Sequence, residues 1–393
     1  MRGEEMKDFI FKLPTKIIFG EGTSLNIKPV LDQYGIRKVM VVTDGGIAGT
    51  QGFKDLIAGL DSQKVDYVLF TEAIADPPIE AVDEAKDILL ESGADGVIAV
   101  GGGSSIDTSK AMCMLATNEG SVREYLFGGT KTVTNRPLPL IAIPTTAGSG
   151  SEVTAASVIT DNQNNIKLSV THEYLMPLVA IVDPLMHIGM PPMITASTGM
   201  DALTHAIEAY VSLNAEPISD MYAEKCIEMI GKNIRTAMFN PTNIEARSQM
   251  AIASILGAAA MVNAGLGAVH GISQAMGGIA HTPHGIGNSL LLPYVMEMNV
   301  PGNPAKFAKI AKLLGENIEG LSERDAAELS VKAVRKMAFD LRIPDSLKDL
   351  DIPVTPDMFD TIVDGTMGYR LLAVNPVKVR REDVYAILEK ANH

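Results

Sequence analysis

Three of the chain's 7 histidines, His270, His281 and His284, fall within GAVHGISQAMGGIAHTPHG (267–285), a stretch that carries no charged side chain. One histidine alone in such surroundings is usually a buried imidazole satisfied by a backbone carbonyl. A cluster calls for another partner, and GMDALTHAIEAY (199–210) offers one. Asp201 and His205 stand four apart among good helix formers, so both side chains leave the same helix face. A carboxylate and an imidazole one turn apart make half of a divalent-metal site. His270 and His284 would complete it, with Gly277-Gly278 and Pro283 between them allowing the chain to turn. One Asp and three His without a thiolate suit Fe(II), Zn(II), Mn(II), Co(II) or Ni(II) rather than Cu(I) or a cluster. His281 is the substitute ligand or a donor to one. His172, His187 and His393, near turns or the terminus, read as surface or structural residues.

A second chemistry resides in two glycine-rich loops. GGGSSID (101–107) follows an apolar run and opens a helix, where free amides attract anionic oxygens and glycines let a ligand approach closely. It is neither G-x-G-x-x-G, because Ile106 stands at the last glycine position, nor a Walker loop. A tight strand-to-helix turn would explain it equally well on its own. PTTAGSGSE (144–152) is the second such loop, and two together favour a nucleotide. Asp44, at the end of an earlier apolar run, would accept hydrogen bonds from ribose hydroxyls and favour NAD over a 2′-phosphorylated cofactor. The competing reading is that Asp44-Gly45 merely makes a turn.

The elements that must position these groups follow from periodicity. KVMVVTDGG (38–46), YVLF (67–70), GVIAVGGGSS (96–105), PLIAIPTTAGSGS (139–151) and LVAIVDP (178–184) are short apolar runs ending in turn residues. Amphipathic stretches at 79–92 and 106–117 lie between them. This alternation predicts a parallel sheet covered on both faces, with ligands beyond the carboxyl ends of its strands. After Pro191-Pro192 the texture becomes helical, with helices expected over 201–211, 219–235, 244–262 and 305–314. The expected organisation is an α/β domain over residues 1–190 and an all-helical domain over 191–393, with the site in the cleft between them.

Composition closes off other classes. A net charge of −14 argues against nucleic-acid or anionic-membrane binding through bulk electrostatics. No Asp, Glu, Lys or Arg occurs from Ser248 to Met296, but polar residues interrupt that run, so it is expected to be buried helix rather than a membrane span. Two cysteines offer no disulfide framework, and the opening residues lack a secretory pattern, which places the protein in a reducing cytoplasm.

GGGSSIDTSK, PTTAGSGSEVT, GMDALTHAIEAYVS, TPHGIGNSLLLP and NPVKVRREDVYAIL, in this order along nearly the whole chain, resemble the iron-containing (group III) alcohol dehydrogenases. The resemblance implies a Rossmann-like N-terminal domain and a helical C-terminal domain, in the two-domain plan of dehydroquinate synthase. It implies iron on Asp201, His205, His270 and His284. It implies nucleotide contacts at Asp44, Gly102, Gly103, Ser104, Thr145, Thr146 and Ser149, with Lys167 near the ribose, and a homodimer or larger oligomer. In two places the chain departs from the family. Gln274 stands where many members have a further histidine, which puts a proton relay there in doubt, and Asp76 precedes Pro77 where an asparagine is usual.

The expected activity is metal-assisted, NAD(H)-linked interconversion of short primary alcohols or diols with aldehydes, without a side-chain base beyond the metal site; Gln274 and His281 are the residues expected beside it. An NADP-preferring aldehyde reductase is the nearest alternative. A dehydroquinate-synthase-like lyase would need several Lys and Arg lining the cleft, which the uncharged run does not provide. A non-catalytic binding protein would have no need of all four metal donors.

Overall fold

The computed structural model describes residues 8–164 and 166–393. The first half is built from β1 (Lys16–Phe19), α1 (Lys28–Gln33), β2 (Lys38–Val42), α2 (Gly45–Ala48), α3 (Gln51–Ser62), β3 (Asp66–Phe70), α4 (Ile79–Ser92), β4 (Gly96–Gly101), α5 (Gly103–Leu115), β5 (Leu140–Pro144), β6 (Ala156–Asp161), β7 (Ile166–Thr171) and β8 (Val179–Val182). Six strands form one parallel sheet in the order β1-β8-β5-β4-β2-β3. Its central strands are apolar without interruption, because helices cover both faces: every residue of β4, β5 and β8 is buried. The two glycine loops leave adjacent strands, β4 and β5, so they lie side by side beyond the carboxyl edge.

Three features differ from the expected pattern. The edge strand β1 pairs with β8 in parallel register, Lys16 with Val179. A separate antiparallel hairpin, β6–β7, stands outside the main sheet. And α5 begins at Gly103, not Ile106, so the glycine loop is itself the first turn of the helix.

The second half comprises α6 (Pro192–Val211), α7 (Pro217–Phe239), α8 (Ile244–Ala264), α9 (Ala268–Ala280), α10 (His284–Asn299), α11 (Pro304–Leu313), α12 (Glu323–Asp340), α13 (Phe359–Met367) and α14 (Arg381–Ala391). The prolines read as a boundary also start α6: Pro192 occupies its first turn, where the missing N–H has no partner to lose. Helix α6 is buried along nearly all its length and packs against α7, α8 and α10.

The uncharged run forms most of α8, all of α9 and most of α10. Among the described residues no single helix is long and apolar enough to cross a membrane. The pair α8 and α9 passes that test together but bends by 101° at Gly265–Gly267, and both helices supply the largest hydrophobic core of the molecule. His187 is interior rather than at the surface: burial pushes its pKa down to about 4, and neither ring nitrogen has a partner. His172 accepts the Tyr174 N–H in a turn, while His393 is exposed near Asp345.

Candidate metal centre and nucleotide cradle

Helix α6 carries Asp201 and His205 on one buried face; α9 carries His270 near its start, and α10 opens at His284. The structure brings these four together, with one donor atom from each inside 4.8 Å of all the others. Asp201 Oδ1 lies 3.6 Å from His205 Nε2, 3.8 Å from His270 Nε2 and 3.7 Å from His284 Nε2. The imidazoles of His205 and His270 stack at 4.9 Å, and that of His284 is tilted 5.2 Å from His270.

Close packing of backbone makes this convergence possible and explains the glycines of 267–285. A Cβ on Gly267 would lie 3.0 Å from Glu208 Oε1, one on Gly271 would press on Tyr369, and one on Gly285 would sit 2.7 Å from the Ser197 carbonyl of α6. The bend between α8 and α9, followed by the left-handed turn at His281 (φ 49°), sends the chain back toward α6 twice.

Glu208 completes the centre, and the sequence reading passes over it as a helix former. It lies seven residues after Asp201, on the same face of α6. Its carboxylate meets His270 Nδ1 at 2.6 Å and accepts the Val269 N–H at 2.7 Å. A proton held there leaves the Nε2 lone pair pointing at the cluster. Burial alone would lower the His270 pKa, but Glu208 and Asp201 together outweigh it and the pKa is raised. For His205 the balance goes the other way: burial outweighs Asp201, and the ring is held neutral and ready to donate. A second residue that spacing does not single out, Asn288, follows His284 by one turn and lies against three of the donors.

This donor set fits a divalent cation. Three imidazole nitrogens and one carboxylate oxygen converge without thiolate, with Asp201, His205 and His270 buried and His284 at the exposed side, and one imidazole has its tautomer fixed from behind.

His281 is not part of the cluster; it caps α9 with an exposed ring. Nor does Gln274 reach the donors: its side-chain N–H donates to the Lys167 carbonyl of β7 at 2.7 Å.

The glycine loops form one cradle. Gly102 caps α5 without a side-chain bond, which leaves the first-turn amides facing outward. A Cβ on Gly102 would meet Thr146 at 3.4 Å, and one on Gly103 would lie 3.0 Å from Ser149 Oγ, so the two loops touch where the glycines are. Thr145 Oγ1 is buried without a partner. Ser104 Oγ accepts the Asp76 N–H at 3.3 Å.

The turn reading of Asp44 is what the structure shows. Its Oδ1 caps α2, accepting from Gly46 and Ile47 at 2.9 Å, while Oδ2 faces Gly101 at the mouth of the cradle. Asp76, in left-handed backbone (φ 50°), holds the buried Lys167 ammonium at 2.6 Å. Lys167 in turn lies beside Gly277 of α9. The 145–150 loop presses on the helices that carry the cluster: a Cβ on Gly148 would lie 2.7 Å from the Thr198 carbonyl of α6.

Comparison with known proteins agrees with this architecture. Residues 14–184 match the model of the iron-containing alcohol dehydrogenases, and residues 195–392 match the C-terminal model of the Fe-containing alcohol dehydrogenase family. The chain belongs to the iron-containing alcohol dehydrogenase family. It is 36% identical over 390 residues to the 1,3-propanediol dehydrogenase of Citrobacter freundii, covering 98% of each chain. It is 37% identical over 342 residues to the NAD-dependent methanol dehydrogenase of Bacillus methanolicus, covering 87% of this chain and 89% of that one. A crystal structure of 1,3-propanediol oxidoreductase superposes with a TM-score of 0.94 at 35% identity, over 98% of this chain and 100% of the other. With its metal cluster and nucleotide cradle, the protein is a metal-dependent, NAD(H)-linked alcohol dehydrogenase and aldehyde reductase acting on small alcohols.

Proposed function

We propose that the protein interconverts short, uncharged primary alcohols or diols and their aldehydes, with Fe(II) on Asp201, His205, His270 and His284 and NAD(H) in the cradle. The observation that carries this reading is the convergence of those four donors beside two amide-rich loops on adjacent strands. A divalent cation so held supplies Lewis-acid polarisation of the substrate oxygen and lowers an alcohol's pKa. Nicotinamide supplies the hydride acceptor or donor.

The chain's own part is orientation. Asp201 and the three imidazoles hold the cation, and Glu208 keeps the His270 proton on Nδ1. The amides of Gly103 and Ser104 bind pyrophosphate oxygens at the start of α5, with Thr145, Thr146 and Ser149 opposite and Lys167 near the ribose. Asp44 Oδ2 accepts from ribose hydroxyls. Helix α8 approaches His205 at Gly257, and its side toward α6 is made of buried Ala side chains, so the cluster is backed by apolar surface. An apolar wall of this kind supports a small uncharged substrate. The domain boundary falls between residues 190 and 191. The uncovered edge strand β1, with Ile17 and Phe19 37% and 41% exposed, supports a homodimer or larger oligomer. A cytoplasmic location fits the two buried free cysteines.

The test is NADH consumption with a panel of short aldehydes, run anaerobically on protein stripped of metal and reloaded with Fe(II). Activity is expected to return with iron; no aldehyde-dependent oxidation under any divalent metal would overturn the reading. For the cofactor, Asp44→Ser keeps an oxygen to cap α2 but removes the charge that would repel a 2′-phosphate. The kcat/KM ratio of NADPH to NADH is expected to rise about tenfold, roughly the effect of 1.4 kcal/mol. An unchanged ratio would place the ribose away from Asp44.

A further inference from the structure

Asn288 is fully buried one turn after His284 on α10. Its Nδ2 lies 2.7 Å from Asp201 Oδ1, 3.0 Å from His270 Nε2 and 3.1 Å from His284 Nε2. Its Oδ1 is buried with no hydrogen-bond partner. The neighbours dictate which way round the amide sits: turned over, its oxygen would face a carboxylate oxygen and two imidazole lone pairs. An amide nitrogen has two hydrogens and here meets three acceptors. The shortest contact, to Asp201, is also the charge-assisted one. It is the one side-chain N–H donor to the Asp201 carboxylate among the described residues.

We propose that Asn288 is a positioning residue of the metal centre: its N–H fixes the Asp201 carboxylate, so that one lone pair of Oδ1 accepts from the amide and the other faces the cation. The unpaired Oδ1 follows from this: the residue is held by what its nitrogen does. Packing alone gives no reason for an amide here, since an apolar side chain would fill the space without burying an unpaired oxygen.

The inference rests on the metal assignment above, and the two fail in distinguishable ways. Asn288→Leu keeps the branched outline, with bulkier methyl ends, and removes the N–H; Asn288→Ala removes both. For each variant and the unsubstituted protein, the Zn(II) dissociation constant is measured by competition with a chromogenic chelator. The visible absorption of the Co(II)-loaded protein is recorded, and the melting temperature of the metal-free protein shows that each variant is folded. Both variants are expected to bind Zn(II) about 10–100-fold more weakly, with the Co(II) bands displaced. A leucine variant that binds Zn(II) within about twofold of the unsubstituted protein, or has superimposable Co(II) bands, would show a packing role and overturn the proposal. No binding of either metal by the unsubstituted protein would instead overturn the metal assignment.

Discussion

Replacing His270 with alanine is expected to lower metal-dependent aldehyde reduction by roughly 10³-fold or more, with loss of the metal on dialysis. A bound cation's polarisation of a carbonyl is worth several kcal/mol, and each 1.36 kcal/mol is a factor of ten in rate. His270 is the ligand best placed to show this, because it is the one whose free nitrogen is held by a buried carboxylate. Its removal takes away a neutral nitrogen donor and strands Glu208 beside an empty space. Glu208→Gln makes a graded counterpart. The imidazole can still be held by the amide, but the charge that strengthens it as a donor is gone, and metal affinity is expected to fall about 10–100-fold. Metal content after dialysis and kcat at saturating Fe(II) separate the effects: His270→Ala loses both, whereas Glu208→Gln regains most of its kcat when metal is in excess. If His270→Ala kept its iron and its rate, the cluster would not be the reacting centre.

Gly150→Ala is expected to destabilise the protein by about 2–5 kcal/mol, the sum of left-handed strain and overpacking. Gly150 has φ +61°, and a methyl there would overlap Ala258 of α8, with the Ser254 carbonyl 3.3 Å away. The loop has no slack to absorb the clash, since Ser151 at its end is tied to Asp107 at 2.5 Å and to the buried Lys110 ammonium at 2.8 Å. Thermal unfolding reads the loss of stability. NADH titration reads a second consequence: Ser149, one residue before, must shift with the loop, so nucleotide affinity is expected to fall together with melting temperature. A variant that melts with the unsubstituted protein would show that the loop can retreat from α8.

Much of this was legible from the chain because the relevant signals are local. Uninterrupted apolar runs such as Val97–Val100 and Ile141–Ile143 need cover on both sides, and only a central parallel strand offers that. The four donors are legible because Asp201 and His205 share a helix face and uncharged surroundings single out His270 and His284. What escapes depends on partners distant in sequence. KIIF is too short to announce a strand, and its pairing with β8 spans some 160 residues. Glu208 looks like any helical glutamate; only the close approach of Gly267 turns it into a buried partner of His270. Asp76 reads as a stray charge until the fold sets Lys167 beside it. His187 sits in a turn, yet the turn is packed inside.

The hairpin β6–β7 has one residue with two attachments. Lys167 reaches the cradle through its ammonium, by way of Asp76 and Ser104, and grips the metal-bearing helix α9 through its carbonyl and Gln274. A single strand thus acts as a crossbar between the glycine loops proposed to hold nucleotide and the helix that carries His270. Thermodynamic reciprocity then applies: by whatever factor nucleotide alters the hold on the cation, the cation alters the hold on nucleotide by the same factor.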